Sequence, residues 1–299
     1  MQNLVSIDRI SVTPTTSATD GAITWLPVKT LWLVSHVILG IAGIILFPQI
    51  DALLVFLGLT VITICAGHSV GMHRLLIHRS FETTRPLEYL LVWLGTLVGM
   101  AGPIGMIKTH DMRDWHQRQT TCPPHPAHDA GFFKDAWWQL CCAFTLNSPP
   151  DFRLEDRVRN DRFYQNLERT WMLQQIPLAL VLYLGGGWAW VMWGCSLRIS
   201  VSLIGHWAIG HFAHRRGQQS WIVKGLPVQG YNLPGFGIVT FGENWHGNHH
   251  AFPHSAKLGV SAGQSDLGYA FIRFLEKLGL VWNVKTPQSE PARDGLVRL

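Results

Sequence analysis

The chain carries TLWLVSHVILGIAGIILF at residues 30–47 and DALLVFLGLTVITICAGHSVGM at residues 51–72, with only Pro48-Gln49-Ile50 between them. Each stretch is near the ~20 residues that an α-helix needs to cross the hydrocarbon core of a bilayer. The link between them holds no lysine or arginine. The pattern predicts two spanning helices joined as a hairpin.

A second hairpin is predicted from residues 171–185 and 188–209, which meet at a run of three glycines. Of the 299 residues, 47% are hydrophobic and 14% are charged. Soluble domains carry about 25% charged residues, so the balance favours a membrane protein. We therefore expect an all-α integral membrane protein with four transmembrane helices in two hairpins.

A fifth apolar stretch covers residues 87–107. It contains several helix breakers: Gly95, Gly99, Gly102, Pro103 and Gly105. Irregular backbone is tolerated at membrane depth only where protein buries it or where it lines a cavity. We therefore interpret this stretch as a re-entrant or interfacial helix. Histidines on its two sides can share one site only if it does not cross the membrane.

The basic residues indicate the orientation. Both hairpin links lack lysine and arginine, whereas the other connecting segments are rich in arginine. The positive-inside rule places such segments in the cytoplasm, together with both termini. The net charge of +5 is explained by this topology, so no nucleic-acid partner is expected. The five cysteines include no CxxC pair, which argues against a disulfide framework or a cysteine zinc site.

Most of the 15 histidines fall into groups on the predicted cytoplasmic side. The groups are His73 and His78 with His68 nearby, His110 and His116, the set His206, His211 and His214, and the set His246, His249 and His250. In the last set the i, i+3, i+4 spacing places three rings on one helix face. Imidazole binds iron, zinc and copper, so converging groups predict a metal site.

The number of histidines bears on how many metal ions are bound. One zinc ion needs about four ligands, and a catalytic one about three from the protein. Eight or more candidate ligands are enough for two metals. Their position beneath an apolar helix bundle favours two irons that use O₂ on a lipid-like substrate. A dinuclear zinc hydrolase and a copper oxidase remain open at this point.

Two segments resemble the histidine boxes of the membrane fatty acid desaturases of the acyl-CoA (stearoyl-CoA) Δ9 type. Residues 71–81, GMHRLLIHRSF, resemble the first box, GxHRLxxHRSF. Residues 242–253, GENWHGNHHAFP, resemble the third box, GExWHNNHHAFP. Residues 266–287 are similar to the family's C-terminal segment. The resemblance covers roughly residues 31–287.

The resemblance implies a helical membrane bundle under a cytosolic cap that holds two iron ions on ligands that are nearly all histidines. It implies insertion of a cis double bond with O₂ as co-substrate. Electrons would come from a separate donor of the ferredoxin or cytochrome b5 type with its NAD(P)H reductase. The acyl chain would be carried by CoA, acyl carrier protein or lipid, in a bacterial inner membrane. The expected division is a cytosolic tail at 1–29, the desaturase domain at 30–287 and a second tail at 288–299.

The second box departs from the family's HxxHH pattern, because it reads His110-Asp-Met-Arg113-Asp114. Asp114 and His116 are candidates to replace the missing histidines. Near the end of the last span the family pattern NSxxH has Gly210 in place of asparagine but keeps His214, and His206 or His211 could compensate. The predicted metal ligands are His73, His78, His110, Asp114, His116, His206, His214, His246, His249 and His250.

The altered second box keeps other functions open. A hydroxylase or acetylenase on the same scaffold is the enzymatic alternative. A membrane metal-binding or transport protein is the non-catalytic one. Arg74 and Arg79 flank the first box and could pair with a cofactor phosphate, an acidic electron donor or lipid headgroups, or could simply anchor the cytoplasmic side. Arg198, inside the last predicted span, is a further functional candidate because charge at membrane depth is costly.

Overall fold

The computed structural model describes residues 9–291 and 293–299 and is mostly helical. The helices are α1 (Pro27–Leu46), α2 (Ile50–Val61), α3 (Arg85–Thr96), α4 (Pro103–Gln117), α5 (Phe132–Cys141), α6 (Asp156–Arg159), α7 (Arg162–Thr170), α8 (Gln175–Val191), α9 (Arg198–Ala213), α10 (His246–Ala251) and α11 (Leu267–Lys277). Two π-helical segments, Ile62–Ile77 and Met192–Leu197, continue α2 and α8, and Pro287–Ser289 form a 3₁₀ turn.

Short antiparallel strand pairs connect segments that are distant in the chain. The strands are β1 (Ile10–Ser11), β2 (Gly21–Trp25), β3 (Glu82–Thr83), β4 (Cys142–Leu146), β5 (Asp151–Phe152), β6 (Trp221–Val223), β7 (Val281–Trp282) and β8 (Leu296–Arg298). The pairs are β1 with β5, β2 with β4, β3 with β7 and β6 with β8. The described parts of both predicted tails therefore pair with the central part of the chain.

Three helical segments of the described chain are long and apolar enough to cross a membrane: Pro27–Leu46, Ile50–Ile77 and Gln175–Ala213. The third is divided by a non-helical break at Gly186 (φ −154°, ψ 18°) and Gly187 (φ 62°, ψ −154°). This break lies where the sequence predicts the tip of the second hairpin. The arm before it begins at Gln175, so at 1.5 Å per residue it measures only about 16 Å. A hydrocarbon core is about 30 Å thick, so this arm alone has about half the length needed to cross it.

The first histidine pair is positioned by the π-helical segment Ile62–Ile77, because His73 lies on it and His78 is its C-cap residue. His68, His73 and His78 are spaced five residues apart. On an α-helix, at 3.6 residues per turn, residues five apart point about 140° away from each other. A π-helix closes i→i+5 hydrogen bonds, which brings such residues onto one face. The backbone N–H of His78 donates to the carbonyl of His73 at 3.1 Å, and the two rings lie 4.8 Å apart.

The stretch at 87–107 forms two helices rather than one. α3 ends at Thr96, α4 begins at Pro103, and Gly99 between them has φ +84°. The carboxylate of Glu168 accepts hydrogen bonds from the first free N–H groups of α4, at Ile104 and Gly105. The chain then returns to the end from which it left, because His110 of α4 meets His78. The geometry agrees with the prediction of a non-crossing segment.

Arg198 anchors the turn between α3 and α4. Its guanidinium is fully buried and donates to the carbonyls of Leu97 and Gly194, both at 2.6 Å, and to the amide oxygen of Gln175 at 2.8 Å. The amide nitrogen of Gln175 also donates to the Leu97 carbonyl, at 3.0 Å. This arginine links α8 and α9 to the turn between α3 and α4, and these donors are used within the protein.

Glycines set the separation of α3 from the π-helical segment. A Cβ at Gly67 would collide with the backbone of Leu94 and Gly95. A Cβ at Gly71 would lie 2.6 Å from the carbonyl carbon of Leu91. Small residues of this kind let two helix backbones approach closely in membrane proteins. The histidines of the π-helix are therefore placed by direct backbone contact with α3.

Candidate metal centre

Four histidines from three helical segments form a first cluster: His73, His78, His110 and His249. All four are buried, and one nitrogen of each lies within 4.8 Å of the others. The Nε2 atoms of His78 and His110 are 3.2 Å apart. The ring of His249 lies 4.6 Å from that of His73 and 4.7 Å from that of His78. The π-helical segment, α4 and α10 therefore bring their histidines together in one cluster.

Three histidines form a second cluster: His214, His246 and His250. The Nε2 atom of His246 lies 3.0 Å from the Nε2 atom of His214 and 3.0 Å from that of His250. The sequence predicts His246, His249 and His250 on one face of a helix, and α10 does carry all three. The structure divides them, because His249 joins the first cluster while its two neighbours join the second.

The histidines of the two clusters are in a protonation state that allows them to bind metal cations. Burial lowers the pKa of His78, His214, His246 and His249 well below the ordinary value, and the neighbouring imidazoles lower it further. These rings are therefore neutral at physiological pH, and each has one nitrogen with a free lone pair. Facing imidazole nitrogens 3.0–3.2 Å apart form preorganised sets of donor atoms. Imidazole suits iron, zinc and copper.

Glu243 orients a ligand of the first cluster. Its Oε2 lies 2.7 Å from Nδ1 of His73, and its Oε1 accepts from the hydroxyl of Ser69 at 2.6 Å. Burial alone would raise the pKa of this carboxyl, but His73 and Arg74 lower it overall. The carboxylate therefore lies beside this ring, where carboxylates commonly orient metal-binding histidines. Sequence reasoning missed Glu243, although it lies inside the third box.

His110 has a similar support from the N-terminal segment. Its Nδ1 lies 3.3 Å from Oδ1 of Asp111, whose Oδ2 accepts from Arg9 at 2.9 Å. Arg9 is buried and also bonds the carboxylate of Glu155 and the backbone carbonyl of Ile77. A residue that the sequence places in a tail is thus two contacts away from the metal cluster. Only the adjacency of Asp111 to His110 could have signalled this link.

Replacing Glu243 by glutamine is expected to weaken metal binding about 10–100-fold, the usual effect of removing a carboxylate that orients a metal-binding histidine. The amide keeps the shape but removes the charge beside His73. Competition with a graded chelator measures the metal dissociation constant of the purified protein. Glu276→Gln is the matched control, because the carboxylate of Glu276 pairs with Arg273 on α11, outside both clusters. An unchanged constant for Glu243→Gln would contradict the assigned role.

The remaining predicted ligands lie outside the two clusters. Asp114 interacts with histidines of both clusters: burial alone would raise its pKa, but His110, Arg118 and the histidines of α10 lower it overall. His116 is buried against Trp115 and Phe144 instead. His206 packs its ring on His68 at 5.1 Å.

The two arginines of the first box face inward. Arg74 is 1% exposed and donates to Ser69 at 2.5 Å and to Asp266 at 2.9 Å. Ser69 in turn donates to Glu243, so Arg74 supports that carboxylate, and its binding of a cofactor stays a prediction. Arg79 lies 3.8 Å from both Glu88 and Glu155 and is also largely buried. Burial lowers the pKa of Arg79 to about 10.

A third group was not predicted from the sequence. His128, Asp135 and His211 are all buried and bring one ligand-type atom each within 4.8 Å of the others. Both histidines lie against Oδ2 of Asp135, at 3.1 Å and 2.8 Å. His128 is in the loop after the altered second box, where no spacing pattern marks it.

The comparisons with known proteins bear directly on these clusters. No family model matches the chain. An sn-1 stearoyl-lipid 9-desaturase of Anabaena variabilis is 35% identical over 222 residues, which make up 73% of this chain and 78% of that protein. The chain belongs to the fatty acid desaturase family. The resemblance predicted from the first and third boxes is confirmed.

Other desaturases of this family are similarly related. An sn-2 palmitoyl-lipid 9-desaturase of Nostoc sp. is 32% identical over 235 residues, 77% of this chain and 80% of that protein. An acyl-CoA 5-desaturase of Anemone leveillei is 30% identical over 236 residues, 78% of this chain and 72% of that protein. This desaturase is therefore an oxidoreductase that acts on fatty acyl chains, in a membrane-associated helical fold.

Proposed function

We propose that this desaturase inserts a cis double bond at the Δ9 position of a saturated acyl chain, with O₂ as co-substrate and a pair of iron ions as cofactor. The main observation behind this proposal is that seven buried or half-buried histidines converge into two adjacent clusters, which one short helix joins. Two irons would supply the oxygen chemistry that removes hydrogen from an unactivated chain. The 9-desaturases among its relatives support the position.

The chain's own residues would hold and orient the two ions. His73, His78, His110 and His249 would ligate the first. His214, His246 and His250 would ligate the second, with Asp114 as a proposed oxygen ligand. Glu243 and Asp111 would keep His73 and His110 in their tautomers and ring orientations, since outer carboxylates fix metal-binding histidines in this way. The apolar helices around the clusters would keep the reaction centre dry, which limits side reactions.

The proposed topology has four spans in two hairpins, with the metal centre and both termini in the cytoplasm. Residues 30–287 would be the desaturase domain between extensions at 1–29 and 288–299. The break at Gly186 and Gly187 supports the second hairpin. The arginine-rich segments around the clusters support the orientation through the positive-inside rule. Electrons would come from a separate ferredoxin or cytochrome b5 type donor with its NAD(P)H reductase.

The deciding experiment combines metal analysis with lipid analysis. The chain is expressed in a host that has its electron donors, and the purified protein is assayed for iron and zinc. Two irons per chain and a new Δ9 monounsaturated acid are the expected results. Separate analysis of the host's acyl-CoA, acyl carrier protein and lipid pools shows where the new bond first forms. Zinc alone, or an unchanged acid profile with a competent donor, would refute the proposal.

A hydroxylase is the second candidate, because the carboxylate of Asp114 stands where the family pattern of the second box has a histidine. The same profile separates the two outcomes. A hydroxy acid in place of the monounsaturated acid would favour hydroxylation, and an acetylenic acid would favour an acetylenase.

A further inference from the structure

The two clusters are unequal. The first has four histidines and the second has three, and Arg113 and Asp114 occupy the positions where the family pattern would add two more. We infer that His128 supplies the imidazole that the second cluster lacks, as a ligand of the second iron held in place by Asp135. The inference rests on the proposed di-iron function, which it extends to a residue outside the histidine boxes.

Asp135 fixes the orientation of His128. This carboxylate is fully buried, and its Oδ2 accepts from Nε1 of Trp207 at 2.9 Å as well as contacting Nδ1 of His128 and of His211. An indole N–H can only donate, so this oxygen is an acceptor surrounded by N–H groups rather than a metal ligand. Nδ1 of His128 therefore carries its proton, and Nε2 carries the lone pair.

The charge state of Asp135 agrees with that role. Burial alone would raise its pKa, but the hydrogen bond and charge of His128, together with Trp207 and His211, lower it to about 2. A buried carboxylate that holds the N–H of an imidazole is the arrangement that commonly orients metal-binding histidines.

The free nitrogen of His128 lies beside the second cluster. Its Nε2 is buried and has no hydrogen-bond partner among the described residues. The ring stacks on that of His214, with centroids 5.3 Å apart and planes 14° from parallel. Buried nitrogens without partners are rare because each costs about 1–3 kcal/mol. A metal cation bound by both His128 and His214 would give the Nε2 atom of His128 a partner.

Gly210 makes room for this ring. It lies one helical turn before His214 on α9, and a Cβ there would be 3.1 Å from Cε1 and 3.2 Å from Nε2 of His128. Both distances are shorter than ordinary van der Waals contact. Gly210 is also the position where the family pattern has asparagine. The imidazole of His128 thus occupies the space that a side chain at position 210 would take.

The backbone of His128 is held in a costly conformation. Its φ is +55°, the left-handed region, which costs a residue with a Cβ roughly 1–2 kcal/mol. Arg215 clamps the loop by donating to the carbonyl of His128 at 3.1 Å and to that of Ala130. Such strain persists where the surroundings fix it, and it concentrates at functional sites. Glycine adopts this backbone conformation without strain, so the His128→Gly variant should fold and its metal content can be measured.

The test measures metal content rather than turnover. Wild-type protein, His128→Gly and His125→Gln are purified and assayed for iron per chain, with Mössbauer and EPR spectra. His125 is the matched control, because it lies in the same loop but directs its Nε2 to the carbonyl of Trp138. We expect His128→Gly to bind the second iron about 10–100-fold more weakly, as is usual when a residue that supports a metal site is lost. It should show the spectrum of an uncoupled single iron, and added imidazole should restore the pair.

A double-variant cycle gives a second readout. Gly210→Ala should displace the ring of His128 and weaken the second iron in the same way. Combined with His128→Gly it should add no further loss, because no ring remains to be displaced. Fully additive losses would contradict the inference.

The outcomes separate the two proposals. A wild-type protein without iron refutes the proposed function itself. Two irons with an unchanged spectrum in His128→Gly refute the role of His128 alone. Loss of both irons from a chain that still unfolds cooperatively refutes the assignment to the second cluster.

Discussion

Replacing His249 by alanine is expected to abolish desaturation and to lower the iron content more than any other single change. This histidine belongs to the first cluster, and its ring also lies 5.7 Å from that of His246 and 5.9 Å from that of His250 in the second. Its loss removes a ligand from one ion and a packing neighbour from the site of the other. We expect activity to fall more than about 1000-fold, or roughly 4 kcal/mol of barrier lowering.

Two measurements check this expectation. Fatty acid profiles of an expressing host give the activity, and metal analysis of the purified variant gives the iron content. The matched control is His116→Gln, which replaces a buried histidine that packs on Trp115 and Phe144, away from both clusters. The control should keep its iron and most of its activity. Loss of iron in the control with retention in His249→Ala would overturn the assignment of ligands.

Gly71→Ala is expected to destabilise the helix bundle strongly for so small a change. The added methyl group would lie well inside contact distance of the Leu91 carbonyl oxygen and 2.6 Å from its carbon. Both are backbone atoms, so neither can rotate away. Overpacking typically costs 1–3 kcal/mol, and we expect at least about 3 kcal/mol here. Because Gly71 is two residues before His73, the shift would also displace the first cluster.

The control for this prediction lies on the same continuous helix. A methyl group at Gly58 would meet no atom within 4 Å. Alanine is favoured over glycine in a helix by about 1 kcal/mol, so Gly58→Ala should be neutral or slightly stabilising. Thermal unfolding in detergent, with iron content measured alongside, gives both effects. Equal melting temperatures for the two variants would show that the close approach of the helices is not needed.

The broad fold could be predicted because its signals are local. Apolar runs near 20 residues predicted the long helices. The stretch at 87–107 was predicted as one re-entrant or interfacial helix, whereas the structure divides it into α3 and α4. The fourth span stays a prediction, because the arm that begins at Gln175 is short. The pairing of β1 and β2 with distant strands could not be foreseen. Two- to five-residue strands carry little periodicity, and their partners are set by tertiary packing.

The histidines of the first and third boxes could be recognised because short-range spacing carries the signal. Their division between two clusters could not, because it depends on how α10 is tilted against the π-helix and α9. The residues that hold these histidines in place were missed for a different reason. Glu243, Asp135 and Arg9 act through contacts across 100 or more residues or through a loop without regular structure. No pattern along the chain brings such partners together.

The π-helical segment has a consequence for the order in which the enzyme matures. Left to local preference, residues 62–77 would wind as an α-helix, since long π-helices are rare. In that form His73 and His78 would point about 140° apart and could not share an ion. The π-helical segment packs directly against the backbone of α3, so we expect the pair to form only after that helix has docked. We therefore expect metal uptake to be a late event, which follows assembly of the bundle rather than guiding it.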